Sequence, residues 1–368
     1  MSTRAESLLH RMVGIASPSG EEAELAAFLA GELREWGFET HLDEVGNVIA
    51  ARGPASGPTI MLIGHMDTVP SPLEVRREGT VLYGRGTVDA KGPLATMICA
   101  AAAAEVGPVR LVVAGVVEEE TFGRGATHLL QGHRPDAAFV GEPNGWSGVG
   151  IGYKGRVVVR YAVRRPAVHT ASPEEKASEA AVAFWNEVAG YCAAHTAGTR
   201  AFDRPIPTLT EMGGTIEEAR MTIACRTPPG FDLEAFERFL TDAAGDAVLE
   251  IDDRTPAVRV DTRGAAVRAL CSAIRAQGAR PTLKLKTGTA DLNIVEPHWN
   301  VPMAVYGPGD SALDHTDREH IDLAEYAKAV DVLRQALETL AAELVQAGEQ
   351  EGEHAGQQAG QAAAAGAR

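Results

Sequence analysis

Ile60-Met61-Leu62-Ile63-Gly64-His65-Met66-Asp67-Thr68-Val69-Pro70 is the stretch on which the reading of this chain turns. An apolar run bounded by Gly64 and Pro70 predicts a buried strand. Side chains two apart on an extended segment point the same way, so His65 and Asp67 lie side by side and the carboxylate can accept the ring N–H. Metal-binding histidines are commonly oriented in this manner. An isolated His-x-Asp is more often a core histidine satisfied by a neighbouring acid, so the segments around it decide between the two.

Upstream, Ser17-Pro18-Ser19 leads into Glu21-Glu22 and then Leu25, Phe28, Leu29, Leu33 and Trp36 at helical spacing, which predicts a capped amphipathic helix. Downstream, residues 109–117 and 137–140 are further strand candidates, and an alanine-rich helix at about 93–104 separates the first two strands. This alternation predicts an α/β domain with a central, mostly parallel sheet. From about residue 148 the texture changes to a longer strand at 157–163, a helix at about 173–194, a strand at 219–225, a helix at 233–240 and a strand near 248–251. With one further strand signal before residue 219, the order β-α-β-β-α-β predicts a small ferredoxin-like α+β insert. The expected division is a first catalytic part at 1–152, the insert at 153–261 and a second catalytic part at 262–345, which closes with a helix at 323–344. Residues 346–368 are Ala, Gly, Gln and Glu, a composition that cannot bury a core and predicts a disordered tail.

A chain of 368 residues exceeds the usual size of one domain, and no apolar run approaches the roughly 20 residues needed to span a bilayer. The first 14 residues carry Arg4, Glu6 and Arg11 and show no signal-peptide pattern, so a cytoplasmic protein is expected. Cys99, Cys192, Cys225 and Cys271 are far apart and form no C-x-x-C pair, which supports neither a disulfide framework nor a thiolate metal site. A net charge of −16 argues against nucleic acid or an anionic membrane as a partner.

Three more acidic signals follow predicted strands or sit in loops, where open α/β sheets place their ligands. Asp89 lies in Gly84-Arg85-Gly86-Thr87-Val88-Asp89-Ala90-Lys91-Gly92, a glycine-punctuated turn opening a helix. Glu118-Glu119-Glu120 follows the strand at 109–117, and Glu142-Pro143 follows the strand at 137–140. Far downstream, His315 stands in Gly307-Pro308-Gly309-Asp310-Ser311-Ala312-Leu313-Asp314-His315-Thr316-Asp317-Arg318-Glu319-His320. Two imidazoles and three carboxylates suit a pair of divalent metal ions sharing one bridging carboxylate, and such a pair activates water and polarises a carbonyl. Hydrolysis of an amide is the chemistry implied. Nucleotide binding is not, because neither G-x-G-x-x-G nor a Walker pattern is present.

In order and spacing, His65-x-Asp67-Thr68-Val69-Pro70, Asp89-x-Lys91-Gly92, Glu119-Glu120, Glu142-Pro143 and the late His315 resemble the two-zinc metallopeptidase family that includes acetylornithine deacetylase, succinyl-diaminopimelate desuccinylase and glutamate carboxypeptidase. The resemblance covers nearly the whole chain short of the tail and implies a metallopeptidase catalytic domain with an inserted lid, or dimerisation, domain. It implies Asp89 as the bridging ligand, His65 and Glu142 on one metal, Glu120 and His315 on the other, Asp67 orienting His65, and Glu119 as general base. The family usually shows Asp-Glu-Glu where this chain has Glu118-Glu119-Glu120; aligning on Thr121 and Gly125 makes Glu119 the base. It further implies that His169 is a lid histidine that helps hold the oxyanion, that Arg226 receives a substrate carboxylate, that the Asp89–Ala90 peptide is cis, and that the protein is a homodimer. The implied cofactors are two divalent ions, Zn2+ or alternatively Co2+.

Within the family, Gly150-Ile151-Gly152-Tyr153-Lys154-Gly155-Arg156 and Lys286-Thr287-Gly288-Thr289-Ala290-Asp291-Leu292-Asn293 resemble the branch that releases lysine or ornithine from an acidic amino-group carrier protein. That likeness implies cleavage of an amide on the carrier's terminal glutamate side chain. Arg226 and Asp291 then become candidates for the free carboxylate and side-chain ammonium of the amino acid, and a basic patch at Lys154, Arg156, Lys284 and Lys286 a candidate for meeting the carrier. The alternatives are acetylornithine deacetylase or another N-acyl amino acid deacylase and, in a different class, a non-catalytic metal-binding protein.

Overall fold

In the computed structural model, residues 2–196 and 200–366 are described, with side chains from 3 to 350. By internal contacts the chain forms two units, Met1–Ile151 with Val260–Lys284 and Val295–Arg368, and Gly152–Arg259 with Leu285–Ile294. The first opens with helices α1 (Ser2–Gly14) and α2 (Ala23–Glu35), then strands β1 (Glu39–Leu42), β2 (Val48–Arg52), β3 (Thr59–His65), β4 (Arg76–Glu78) and β5 (Val81–Tyr83). Helix α3 (Lys91–Ala103), β6 (Arg110–Val116), α4 (Arg124–Gly132), β7 (Ala137–Val140) and β8 (Gly148–Tyr153) follow. Next come β9 (Gly155–Arg164), α5 (Ala177–Ala194), β10 (Ile206–Gly214), β11 (Glu218–Thr227), α6 (Leu233–Ala244), β12 (Val248–Thr255) and β13 (Val258–Arg259). The chain closes with α7 (Ala265–Ala276), β14 (Thr282–Lys286), α8 (Leu292–Trp299), β15 (Met303–Val305), β16 (His320–Asp322) and α9 (Leu323–Gly366).

The main sheet of the first unit has the order β1-β2-β6-β3-β7-β15-β8. Its centre is parallel, β6 beside β3, β3 beside β7 and β7 beside β15, while β1, β2 and β8 add antiparallel flanks. Both faces of a central parallel strand are covered, which is why β3, β6 and β7 are continuous apolar runs rather than alternating ones. Register, more than composition, places the polar residues at the strand ends. His65 lies opposite Val116 and Ile63 opposite Val140, so β3, β6 and β7 end together. The residues just beyond them, Asp67, Glu118 to Glu120 and Glu142, therefore leave the sheet along one edge, the edge at which such sheets bind ligands.

A second, three-stranded sheet orders β16-β5-β4, pairing His320 with Tyr83 and Asp322 with Val81. This short pairing brings the segment after His315 against the loop that carries Asp89. Helix α3 starts directly behind that loop and is buried from Lys91 to Ala101 on all sides, which its alanines and Met97 allow. All four cysteines are free. Among the described residues no helix is long and apolar enough to cross a membrane.

The second unit is an antiparallel sheet in the order β10-β11-β9-β12. Strand β9 alternates buried with less buried positions, as expected when one sheet face is covered. Val157, Val159 and Tyr161 of that strand meet Phe184 and Val188 of α5, Ile223 of β11, and Phe236 and Leu240 of α6. The element order β9-α5-β10-β11-α6-β12 is ferredoxin-like. Residues 285–294, which the sequence places with the second catalytic part, cluster with this unit instead. Asn293 explains the difference, because its Nδ2 donates to the carbonyls of Lys154 (3.0 Å) and Pro256 (2.7 Å). Helix α9 continues past its expected end near Leu344 to Gly366. Most of the predicted tail falls at 351–368, whose side chains lie outside the described residues.

Phe236 is fully buried in the core of the second unit. Phe236→Ala should cost about 3–5 kcal/mol of that unit's stability, read as a lowered denaturant midpoint. A shift corresponding to less than about 1 kcal/mol would mean that α6 does not close the core as described.

Candidate metal centre

His65 ends β3 with its Nε2 3.2 Å from Oδ1 of Asp89. The other Asp89 oxygen, Oδ2, lies 3.1 Å from Nε2 of His315, which is also 3.0 Å from Oε1 of Glu120. Asp89 thus offers one oxygen to each imidazole, the placement a bridging ligand requires. Ligand atoms of Asp89, Glu120 and His315 lie within 4.8 Å of one another. Glu142 follows β7 and is buried, and Glu119 precedes Glu120, so both are placed by strands adjacent to β3. The His65 side chain is 1% exposed and that of His315 49%, so the cluster is closed on one flank and open on the other. The Asp89–Ala90 peptide is cis, as the resemblance implies.

Electrostatics support a cation here. Burial opposes charge on Asp89, yet hydrogen bonds with His315 and His65 outweigh it and hold the carboxyl below its ordinary range. Hydrogen bonds to Asp89 and Glu120 raise His315 to about 10. Burial would lower His65, but Asp67 and Asp89 raise it well above its ordinary value. Without metal, then, these carboxylates bias both imidazoles towards their protonated form. Two imidazoles and several carboxylate oxygens form a donor set that fits divalent ions of borderline softness, which would replace those protons.

Asp67 does more than its spacing from His65 suggests. The ring Nδ1 lies 3.0 Å from the Asp67 carbonyl oxygen and 3.3 Å from Oδ1. The carboxylate also accepts the backbone N–H of Glu119 and of Glu120, both at 3.0 Å, and the Ser19 hydroxyl at 2.7 Å. Burial opposes its charge, and hydrogen bonding with His65 overcomes that and lowers the carboxyl. Behind it, Glu22 accepts the N–H of Glu118, whose φ is +58°, and Asn47 accepts the N–H of Val117 while donating to Gly125 O. A Cβ on Gly125 would sit 2.5 Å from Asn47 Oδ1 and from Val117 N, so glycine is required there.

Glu319 is the residue that the sequence patterns pass over. Its Oε1 accepts the N–H of Val88 at 2.8 Å and of Asp89 at 3.1 Å, and its Oε2 pairs with Arg85 Nη1 at 2.7 Å. Both partners are buried. Lys91 adds a further tie, donating to Ile15 O at 2.6 Å, with burial pushing its ammonium down to about 8. In sequence Glu319 is one acid among several after His315, and only its position immediately before β16 sets it apart.

The other predicted site residues lie in the second unit. His169 is exposed and its Nδ1 accepts the N–H of Ala171 at 3.1 Å, so a neutral ring carries its proton on Nε2 and can donate it. Arg226 donates to Thr289 Oγ1 at 3.1 Å, two positions from the buried Asp291. The expected basic patch needs correction: Lys154 is fully buried and donates to the carbonyls of Ala201 (2.9 Å) and Arg204 (2.5 Å). Arg156 lies against Asp253. Two of the four cations are thus engaged inside the fold. The long alkyl stem of Lys154 reads as surface in a sequence and as core once two backbone carbonyls satisfy its head.

Known proteins are similar along nearly the whole chain. The model for peptidase family M20/M25/M40 matches residues 61–339. The LysW-lysine hydrolase of Deinococcus radiodurans is 43% identical over 354 residues, covering 91% of this chain and 97% of that protein. A protein of Thermococcus kodakarensis, a candidate LysW-lysine/LysW-ornithine hydrolase by name, is 40% identical over 346 residues, covering 93% and 94%. Among solved structures, an M20 family metallo-carboxypeptidase of Sulfolobus solfataricus superposes with a TM-score of 0.77 at 16% identity, covering 92% of this chain and 99% of that one.

Metal-free protein at pH 7 should release protons on taking up Zn2+, because the His315 imidazole, raised to about 10, is protonated at that pH and must be neutral to ligate. The calorimetric heat should therefore vary with the ionisation enthalpy of the buffer, and affinity should fall as pH falls. A buffer-independent heat would mean that His315 is already neutral. Glu319→Gln should leave Arg85 uncompensated, cost about 3–5 kcal/mol in unfolding experiments and weaken metal binding about 10- to 100-fold. Unchanged metal affinity in a folded variant would show that Glu319 does not position Asp89.

Proposed function

The chain belongs to peptidase family M20/M25/M40, and within it we propose a metal-dependent amide hydrolase that releases lysine or ornithine from the terminal glutamate side chain of a LysW-type carrier protein. One observation carries this: the cluster His65, Asp89, Glu120 and His315 at the ligand-binding edge of the sheet, in a chain 43% identical to a LysW-lysine hydrolase over nearly its full length.

His65 and Glu142 would hold one divalent ion and Glu120 and His315 another, with Asp89 shared; Zn2+ is the first choice for this donor set and Co2+ the second. Such a pair supplies a water with a pKa lowered to roughly 7 and a polarised amide carbonyl. Glu119 would act as the general base, accepting a proton from the attacking water as the C–O bond forms and passing it to the leaving α-amine as the C–N bond breaks. Asp67 fixes the backbone of Glu119 and the ring of His65 together, so the base and a ligand keep a common reference. His169, donating from Nε2, would stabilise the oxyanion. Arg226 is suited to the free carboxylate of the departing amino acid, for which a planar fork is the natural partner, and Asp291 to its side-chain ammonium. A homodimer in the cytoplasm, meeting an acidic carrier, completes the proposal.

Glu119→Gln should cut turnover of carrier-bound lysine by about 10²- to 10⁴-fold while metal content stays near that of the unaltered protein. Glu120→Gln should instead lose metal. Exchange of the two phenotypes would move the base by one residue. Equal efficiency on acetylornithine and on the carrier-bound substrate would replace the carrier reading with that of a deacetylase.

A further inference from the structure

Phe122 is 86% exposed, the highest value among the large apolar side chains that stay outside the core in the described residues, and it is the one aromatic among them. Phenyl groups are costly to leave in water, and this chain buries or half-buries the others it places in the described structure. Its location is not incidental. It stands two residues after Glu120, so the two Cα atoms are within about 7 Å of each other.

The turn that presents it is tied down. Gly123 N–H donates to Glu118 O at 2.7 Å, the Thr121 hydroxyl to the same oxygen at 3.3 Å, and Gly125 N–H to Val117 O at 3.1 Å. Arg124 closes the far side through a hydrogen bond to Glu118 Oε1 at 2.9 Å. The turn that carries this exposed ring is therefore fixed two residues from Glu120, whose carboxylate meets the half-exposed His315. An aromatic on an already ordered backbone has only two side-chain torsions to lose on contact, which suits an interface anchor.

A free acyl amino acid that places its amide at the cluster has no need of an apolar group outside it. A substrate carried on the terminal residue of a folded protein differs, because the globule must rest against whatever surrounds the entrance. With Lys154 buried and Arg156 engaged by Asp253, the charged contact expected from sequence loses two of its four members. We propose that Phe122 is the contact by which the carrier protein is recognised, its ring seated in an apolar recess next to the carrier's terminal glutamate. This rests on the carrier-bound substrate proposed above.

The test compares lysine on the carrier with γ-glutamyl-lysine, which presents the same amide on a single glutamate. Phe122→Ala should raise KM for the carrier substrate about 10- to 30-fold with little change in kcat, and leave γ-glutamyl-lysine within about twofold. Phe122→Tyr should keep most of the efficiency, and the alanine defect should persist at high salt, since it is not ionic. An equal loss on both substrates, or none on the carrier substrate, would overturn the inference while the functional reading stands. Wild-type protein that turns over γ-glutamyl-lysine but not the carrier substrate would overturn both.

Discussion

The buried carboxylate of Asp67 is the constraint on which the site depends. It takes hydrogen bonds from Glu119 N, Glu120 N and the Ser19 hydroxyl and stands 3.3 Å from the ring of His65. Three stretches of chain, one before α2, one after β3 and one after β6, are thereby referred to a single charged group from which water is excluded. An ionised carboxylate in such a place is tolerable only when nearly all its lone pairs are used, so the arrangement has little freedom to relax. Parallel pairing sets the three strand ends side by side; Asp67 fixes the loops beyond them to the tolerance that ligand geometry demands.

A second buried charge serves the other half of the cluster. Asp89 comes from a loop rather than a strand end, and nothing in the main sheet specifies its position. Glu319 and Arg85 supply that through two backbone N–H groups and a buried ion pair, and the pairing of β16 with β5 brings Glu319 within reach. Rigidity is concentrated behind the cluster, on the His65 side. The His315 side remains open, with that residue itself at a left-handed φ of +60°.

Much of this is legible in the sequence for an identifiable reason. The strands β3, β6 and β7 are buried on both faces, so their apolar runs stand out without alignment, and their ends mark where ligands fall. His65, Asp89, Glu120 and His315 could be named because each sits beside glycine or proline punctuation after such a run, or in a motif carried by the family likeness. Strands β1, β4, β5 and β16 are not legible, since three or four residues with at most one of them buried carry no period to detect. Glu319 looks like any surface acid until β16 is paired. Lys154 is misread in the opposite sense, because hydrophilicity says nothing of two backbone carbonyls that happen to face its ammonium. The boundary at 285–294 escapes for the same reason: it is set by the side-chain amide of Asn293, a long-range contact.

Glu120 and His315 are separated by 195 positions yet touch in the finished site. During synthesis at about 5–20 residues per second, the second of these emerges from the ribosome roughly 10–40 s after the first. For that interval the segments that bear His65, Asp89 and Glu120 can assemble while the cluster lacks its second imidazole. The cluster is therefore completed only once His315 has been made, and a chain cut short before that residue never assembles it.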